Sequence, residues 1–229
     1  MKKAVLYPIV CLLVACASET QKTGLEMIAD HYGAKTSFAK GFNTNAGVTR
    51  TNFTVKVSDS KMIDTLRSDL TSSNIALMLY ESFDEDERVA FDDIFVEIRR
   101  DTVSKADKSS YDPERLKVGL DQAAIFTNFS DNFLGQKFGA ISDNMAPEYQ
   151  NAELASNLSN YWKGLIAQHG RILGYKRIGF GVYTTPKNEK LFYYSGILNF
   201  RDGSQRGYSV QTSQNIDDNH LMGFKFDEY

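Results

Sequence analysis

Three histidines, His31, His169 and His220, are the side chains of this sequence best suited to move a proton near neutral pH. His220 follows Asp217, Asp218 and Asn219 in a polar stretch outside any helix end, so His220 and Asp218 are the candidate acid–base pair. His31 and His169 precede Gly33 and Gly170, where a cation complements the end of a helix dipole; both are read as capping residues. Asp84-Glu85-Asp86-Glu87 and Asp217-Asp218 offer oxygen ligands. Neither alternates its acids around a central Gly as a calcium loop does, so both read as solvated turns and no metal site is expected. HExxH, zinc-finger, Walker, GxSxG and GxGxxG patterns are missing, and no cofactor is expected. The chemistry points to binding more than to catalysis.

The chain behind these side chains has ordinary globular composition: 229 residues, 42% hydrophobic, 12% aromatic and 24% charged. A formal charge of -3 gives no electrostatic reason to expect nucleic acid as a partner.

Lys2 and Lys3 open a basic segment, and the apolar run from Ala4 to Ala15 is too short for the roughly 20 residues a membrane-spanning helix needs. It ends in Leu13-Val14-Ala15-Cys16, which resembles the lipobox of bacterial lipoproteins. The resemblance implies cleavage of residues 1–15, a diacylglycerol on Cys16 and attachment to a membrane of the cell envelope. Ala17 rather than Asp follows the Cys, which by resemblance to the enterobacterial sorting rule implies outer-membrane residence. Cys11 leaves with the signal segment, so no intrachain disulfide is expected. Removing Lys2 and Lys3 takes the 26 basic side chains to 24 against 29 acidic ones, a formal -5, so anchoring is expected from the acyl chains.

Residues 16–23 carry no periodicity and read as a lipid tether; 24–101 read as a smaller α-β-β-α-β module. Its parts are a helix through Leu25, Ile28, Ala29 and Tyr32 closed by Gly33, a hairpin from Lys35 to Phe42 and Val48 to Ser58, and an apolar helical stripe from Met62 to Phe83. Thr71 or Ser72 could start a second segment of that stripe. A strand around Ile94, Val96 and Ile98 completes the module, and 102–110 reads as an exposed linker.

Residues 111–229 open with Asp112 as N-cap and Pro113 in the first helical turn. A helix through Leu116 to Phe133, a short segment around Phe138 to Met145 and a helix through Leu154 to Ile166 follow. Alternating stretches around Phe180, Lys190 to Phe200, Gln205 to Thr212 and Leu221 to Phe226, with an Asp202-Gly203 turn, predict four antiparallel strands. This order resembles the nuclear-transport-factor-like, cystatin-like cone superfamily, and a family within it of unassigned function. The expected fold class is therefore α+β, with helices packed on a curved antiparallel sheet in the C-terminal half.

Such cones often keep an apolar mouth, here with Trp162, Tyr183, Tyr193 and Tyr208 as the possible pocket; the competing expectation is that these rings simply fill it. Relatives with isomerase or dehydratase activity place an Asp or a His-Asp pair inside the cone. The corresponding strands here carry Tyr, Ser, Asn and Phe. Trp162 is expected to be largely buried. Asp64-Thr65-Leu66 and Asp101-Thr102-Val103 resemble the O-glycosylation acceptor of the Bacteroidetes group, with Thr102 the better placed. The expected function is that of a non-catalytic envelope lipoprotein binding a small apolar ligand, a glycan or an envelope protein. The alternatives are a small isomerase or hydrolase working in the cone, and a structural subunit of an outer-membrane assembly.

Overall fold

The computed structural model describes residues 17–45, 47–100 and 105–227. Cys16, Thr102 and the signal segment 1–15 lie outside the described residues. The chain is α+β, with seven α-helices and two four-stranded sheets among the described residues.

The first half runs α1 (Glu19–Tyr32), β1 (Lys35–Asn45), β2 (Val48–Ser58), α2 (Lys61–Thr65), α3 (Ser68–Ser82), α4 (Glu85–Ala90), β3 (Asp93–Arg99) and β4 (Asp107–Tyr111). Its sheet has the order β1-β2-β3-β4, antiparallel except for β2 and β3, which are parallel and joined through the three helices. Two elements exceed the expected α-β-β-α-β. The acidic run starts a helix because Asp84 accepts from the Glu87 backbone N–H while Glu87 returns to the Asp84 N–H, a reciprocal capping box. Residues 107–110 of the expected linker are strand β4, an edge strand held by backbone pairing to β3 with mostly exposed side chains.

The expected tether is also corrected. Helix α1 begins at Glu19, with Ser18 and Gln21 forming a capping box and Gln21 buried. The Glu87 carboxylate gathers the Ser18 hydroxyl, the Thr20 hydroxyl at 2.5 Å and the Gln21 amide at 2.6 Å, so the helix start is clamped to α4. Thr71 and Ser72 start no helix either. They are buried within α3, which opens after Arg67 without a side-chain cap.

The second half runs α5 (Pro113–Leu134), α6 (Phe138–Asp143), a 3₁₀ turn (Pro147–Tyr149), α7 (Leu154–His169), β5 (Ile172–Thr184), β6 (Lys190–Phe200), β7 (Gln205–Ser213) and β8 (Leu221–Phe226). The four strands form an antiparallel meander in sequence order. Asp112 caps α5 through the Glu114 N–H at 3.0 Å, as its spacing before Pro113 implies.

Helix α3 joins the two sheets. Nine of its residues, Thr71, Ser72 and Asn74 through Tyr80, are buried, which leaves no wet face and requires cover on several sides. Helix α1, strands β3 and β4, and strand β5 supply it. The approach to β5 depends on missing side chains: a Cβ on Gly179 would stand 3.0 Å from Leu70 Cβ, and one on Gly181 would stand 2.6 Å from Leu70 Cδ2. On the other face of β5, a Cβ on Gly119 of α5 would stand 2.5 Å from the Phe180 ring. One hydrophobic cluster consequently runs through both halves, and the boundary expected at 102–110 falls within one sheet, its last residues belonging to strand β4.

Candidate functional site

The four aromatic residues expected to share a pocket are distributed over three places. Tyr208 is 2% exposed, its hydroxyl 2.6 Å from Ser130 Oγ and its ring stacked on Phe126 at 5.5 Å. Its ring also meets Phe129, and through Phe126 the ring contacts run on to Tyr194, Phe180 and Phe192 and fill the space under α5. The Tyr194 hydroxyl donates to the Gly119 carbonyl at 2.6 Å. Burial pushes the Tyr194 and Tyr208 phenols well above the ordinary tyrosine range. The interior is thus packed with rings that remain protonated.

Trp162 is half-buried rather than buried, because α7 stands at the sheet margin and buries only Leu158 and Leu165. With Leu134, Ile166 and Ile172 it lines a cleft of about 550 Å³. Its indole Nε1 has no hydrogen-bond partner among the described residues.

Tyr183 and Tyr193 do come together. Gly181 pairs with Tyr193 and Tyr183 pairs with Leu191, so the two tyrosines are diagonal neighbours on one face of the β5–β6 ladder. They line an open groove of about 520 Å³ with Arg67, Asp69, Leu70 and Ser73 of the α3 end and Arg115 of α5. A second cavity of about 280 Å³ continues it past Ser73, Arg115, Gly181 and Val182 towards Ser110 and Tyr111 of β4. The groove therefore lies on the seam between the two halves, and the glycine that admits α3 also keeps its floor low.

Its polar groups are ordered from beneath. Arg67 holds Asp69 through two hydrogen bonds of 3.2 and 2.7 Å, which keep the Asp69 carboxyl below its usual range. The Tyr111 hydroxyl stands 2.6 Å from Ser72 Oγ and accepts from Ser73 Oγ at 3.2 Å. Arg115 is exposed and forms no ion pair among the described residues. Phenol rings, hydroxyls and a guanidinium recognise an oxygen-rich or anionic ligand; neither of the two cavities contains a histidine to serve as base. Sequence reasoning found the two tyrosines and missed Arg67, Ser73 and Arg115, which read as surface polar residues until packing assembles them.

The proposed acid–base pair does not meet through its side chains. The His220 backbone N–H donates to Asp218 Oδ1 at 3.3 Å, and neither residue lines the groove or the Trp162 cleft. Their loop is pinned instead by Gln122, whose amide donates to the Asn215 and Asp218 carbonyls at 3.0 and 3.1 Å. His169 stands in the last turn of α7, 3.0 Å from both Asp202 Oδ2 and Ser204 Oγ. Hydrogen bonds from Ser204, with a smaller contribution from His169, lower the Asp202 carboxyl to about 2. His31 departs from the capping expectation: its ring is partly buried against β5, Nε2–H donates to the Arg177 carbonyl at 2.7 Å, and burial together with the Lys176 charge lowers it to about 4. It is neutral in the fold at neutral pH. Among the described residues no group of three acidic, histidine or cysteine side chains could hold a metal ion, and no helix is long and apolar enough to cross a membrane.

No protein-family model, curated protein or solved structure matches the chain.

Proposed function

We propose that the protein is a lipid-anchored, non-catalytic binding module of the bacterial cell envelope, placed at the outer membrane by Cys16, and that its site is the groove at the seam of its two halves. The observation that carries the site is the convergence of Tyr183, Tyr193 and the exposed Arg115 on one open groove. Of the ligand classes weighed from the sequence, a glycan fits best. Flat aromatic faces suit pyranose rings, and the guanidinium suits a carboxylate borne by them. An apolar ligand is disfavoured because the sheet interior is occupied by Phe126, Phe129, Tyr194 and Tyr208. The same occupied interior speaks against an isomerase or hydrolase working inside a cone.

The cystatin-like cone is the finer reading of the C-terminal half. Its support is the order helix, short helix, helix, four-stranded meander, and register shifts between Ile172 and Gly174, between Arg177 and Gly179 and between Gln211 and Thr212. Such irregularities bend strands and curve a sheet.

Calorimetric titration with an N-acetylated disaccharide bearing a carboxylate tests the function. Wild type is expected to bind it, and Arg115→Ala to bind at least tenfold more weakly, the loss of about 1.4 kcal/mol from one charge-assisted contact. Equal affinity in both proteins contradicts the site.

A further inference from the structure

We infer that the tip of the β1–β2 hairpin is a second membrane contact, inserted end-on into the bilayer that Cys16 anchors. The inference rests on the reading of Cys16 as lipid-modified.

Cys16 directly precedes Ala17, and Ser18 is already fixed to Glu87, so a lipid on Cys16 sits within two residues, about 7 Å of chain, of the folded body. So short a link dictates which end of the protein faces the membrane. Helix α1 runs antiparallel to α3, with Gly24 against Ser82 and the Tyr32 hydroxyl on Asn74. Ser18 therefore lies at the C-terminal end of α3, beside α4. Strand β1 returns along α1, its Thr36 hydroxyl donating to the Leu25 carbonyl at 3.2 Å, and so heads towards that same end. There the Thr51 hydroxyl of β2 meets the carbonyl of Ala90, the last residue of α4, at 2.8 Å.

The hairpin does not stop at this level. Phe42↔Thr51 is the last β1–β2 pair held at the body, where the Asp92 N–H donates to the Thr51 carbonyl at 3.0 Å, and three more pairs, Asn43↔Arg50 to Asn45↔Val48, continue without a third strand. At about 3.3 Å per residue the hairpin projects roughly 10 Å further. It carries two large exposed apolar side chains, Phe42 at 73% and Val48 at 63%. The register puts them on opposite faces, so a flat contact would cover one and an end-on insertion covers both. The exposed acidic residues Asp84, Glu85 and Asp86 stand at the same end, so anionic headgroups offer no net attraction and the contact is hydrophobic. The glycan groove begins at Arg67, at the other end of α3, whose 15 residues span about 22 Å. It faces away from the bilayer.

The test uses protein from residue 16 onward, coupled through the Cys16 thiol to a maleimide-headgroup lipid in phosphatidylcholine vesicles. A Trp162→Phe background carries either Phe42→Trp at the hairpin or Ile216→Trp in the β7–β8 loop, at the groove end. Brominated phosphatidylcholine should blue-shift and quench the emission from position 42 and leave that from position 216 unchanged. Unquenched emission at position 42 in fully coupled protein, or equal quenching at both positions, overturns the hairpin contact. Thermal unfolding confirms the fold of each variant, since position 42 is exposed. Mass spectrometry of the protein from its native membrane tests the premise separately: an acylated Cys16 upholds it, and an unmodified N-terminal segment overturns the anchor reading whatever the vesicles report.

Discussion

Arg177 of β5 donates its Nε–H to Asn74 Oδ1 of α3 across 2.9 Å, and this bond ties the second sheet to the helix that the first sheet covers. Asn74 is fully buried and spends its amide on the Tyr32 hydroxyl at 2.7 Å and the Arg177 carbonyl at 3.3 Å. Arg177 reaches on to Glu81 at 3.2 Å. The seam between the halves is thus polar at its centre as well as apolar along α3, and each partner is satisfied by residues from the other half.

Replacing Asn74 by Leu keeps the volume and removes these three bonds, leaving Arg177 Nε without its partner and the Tyr32 hydroxyl with only the Ile178 carbonyl, to which it donates at 3.2 Å. A loss of about 2–4 kcal/mol is expected in chemical denaturation, with one cooperative transition retained in wild type. A loss below about 1 kcal/mol would mean that water replaces the amide.

Gly119→Ala should destabilise the chain although alanine favours helices over glycine by about 1 kcal/mol. The added methyl meets the Phe180 ring at 2.5 Å, and overpacking of this kind costs about 1–3 kcal/mol. Phe180→Leu in the same chain should recover part of the loss. Stabilisation by Gly119→Ala alone, read from the denaturation midpoint, would show that α5 stands further from β5.

His31 predicts a pH dependence with a definite sign. Its pKa is lowered from about 6.5 unfolded to about 4 folded, chiefly by burial, so between these values the unfolded chain binds the extra proton. Stability from this group is complete above about pH 6.5 and is lost as the pH falls towards 4. Relative to His31→Gln, wild type should lose about 1.5 kcal/mol across that window after discount for the ring's remaining solvent contact. Parallel stability curves for the two proteins would contradict the buried neutral ring.

Much of this architecture was legible where the determinants are local. Asp112-Pro113 marked the start of α5, and the alternation of Phe53, Val55 and Val57 marked β2 with its far boundary at Ser58. Elements stabilised from a distance were silent. Helix α4 hides in an acidic run because its capping box looks like solvated charge, and β4 is a polar edge strand that only β3 defines. The start of α1 read as a tether because the carboxylate that fixes it, Glu87, lies far along the chain. In the groove, Tyr183 and Tyr193 were visible as aromatic residues on adjacent strands. Arg67, Ser73 and Arg115 join them only because Gly179 and Gly181 let α3 settle on β5, a tertiary event with no periodic signature.

The central claim is that this groove is a binding site. Chemical-shift mapping of the isotope-labelled chain during titration with the carboxylate-bearing disaccharide tests it most directly. Shifts should cluster on the backbone amides of Ser73, Gly181, Val182 and Tyr193 and disappear in Arg115→Ala. Shifts centred on Trp162, Ile166 and Ile172, or none at saturating ligand, would contradict the account.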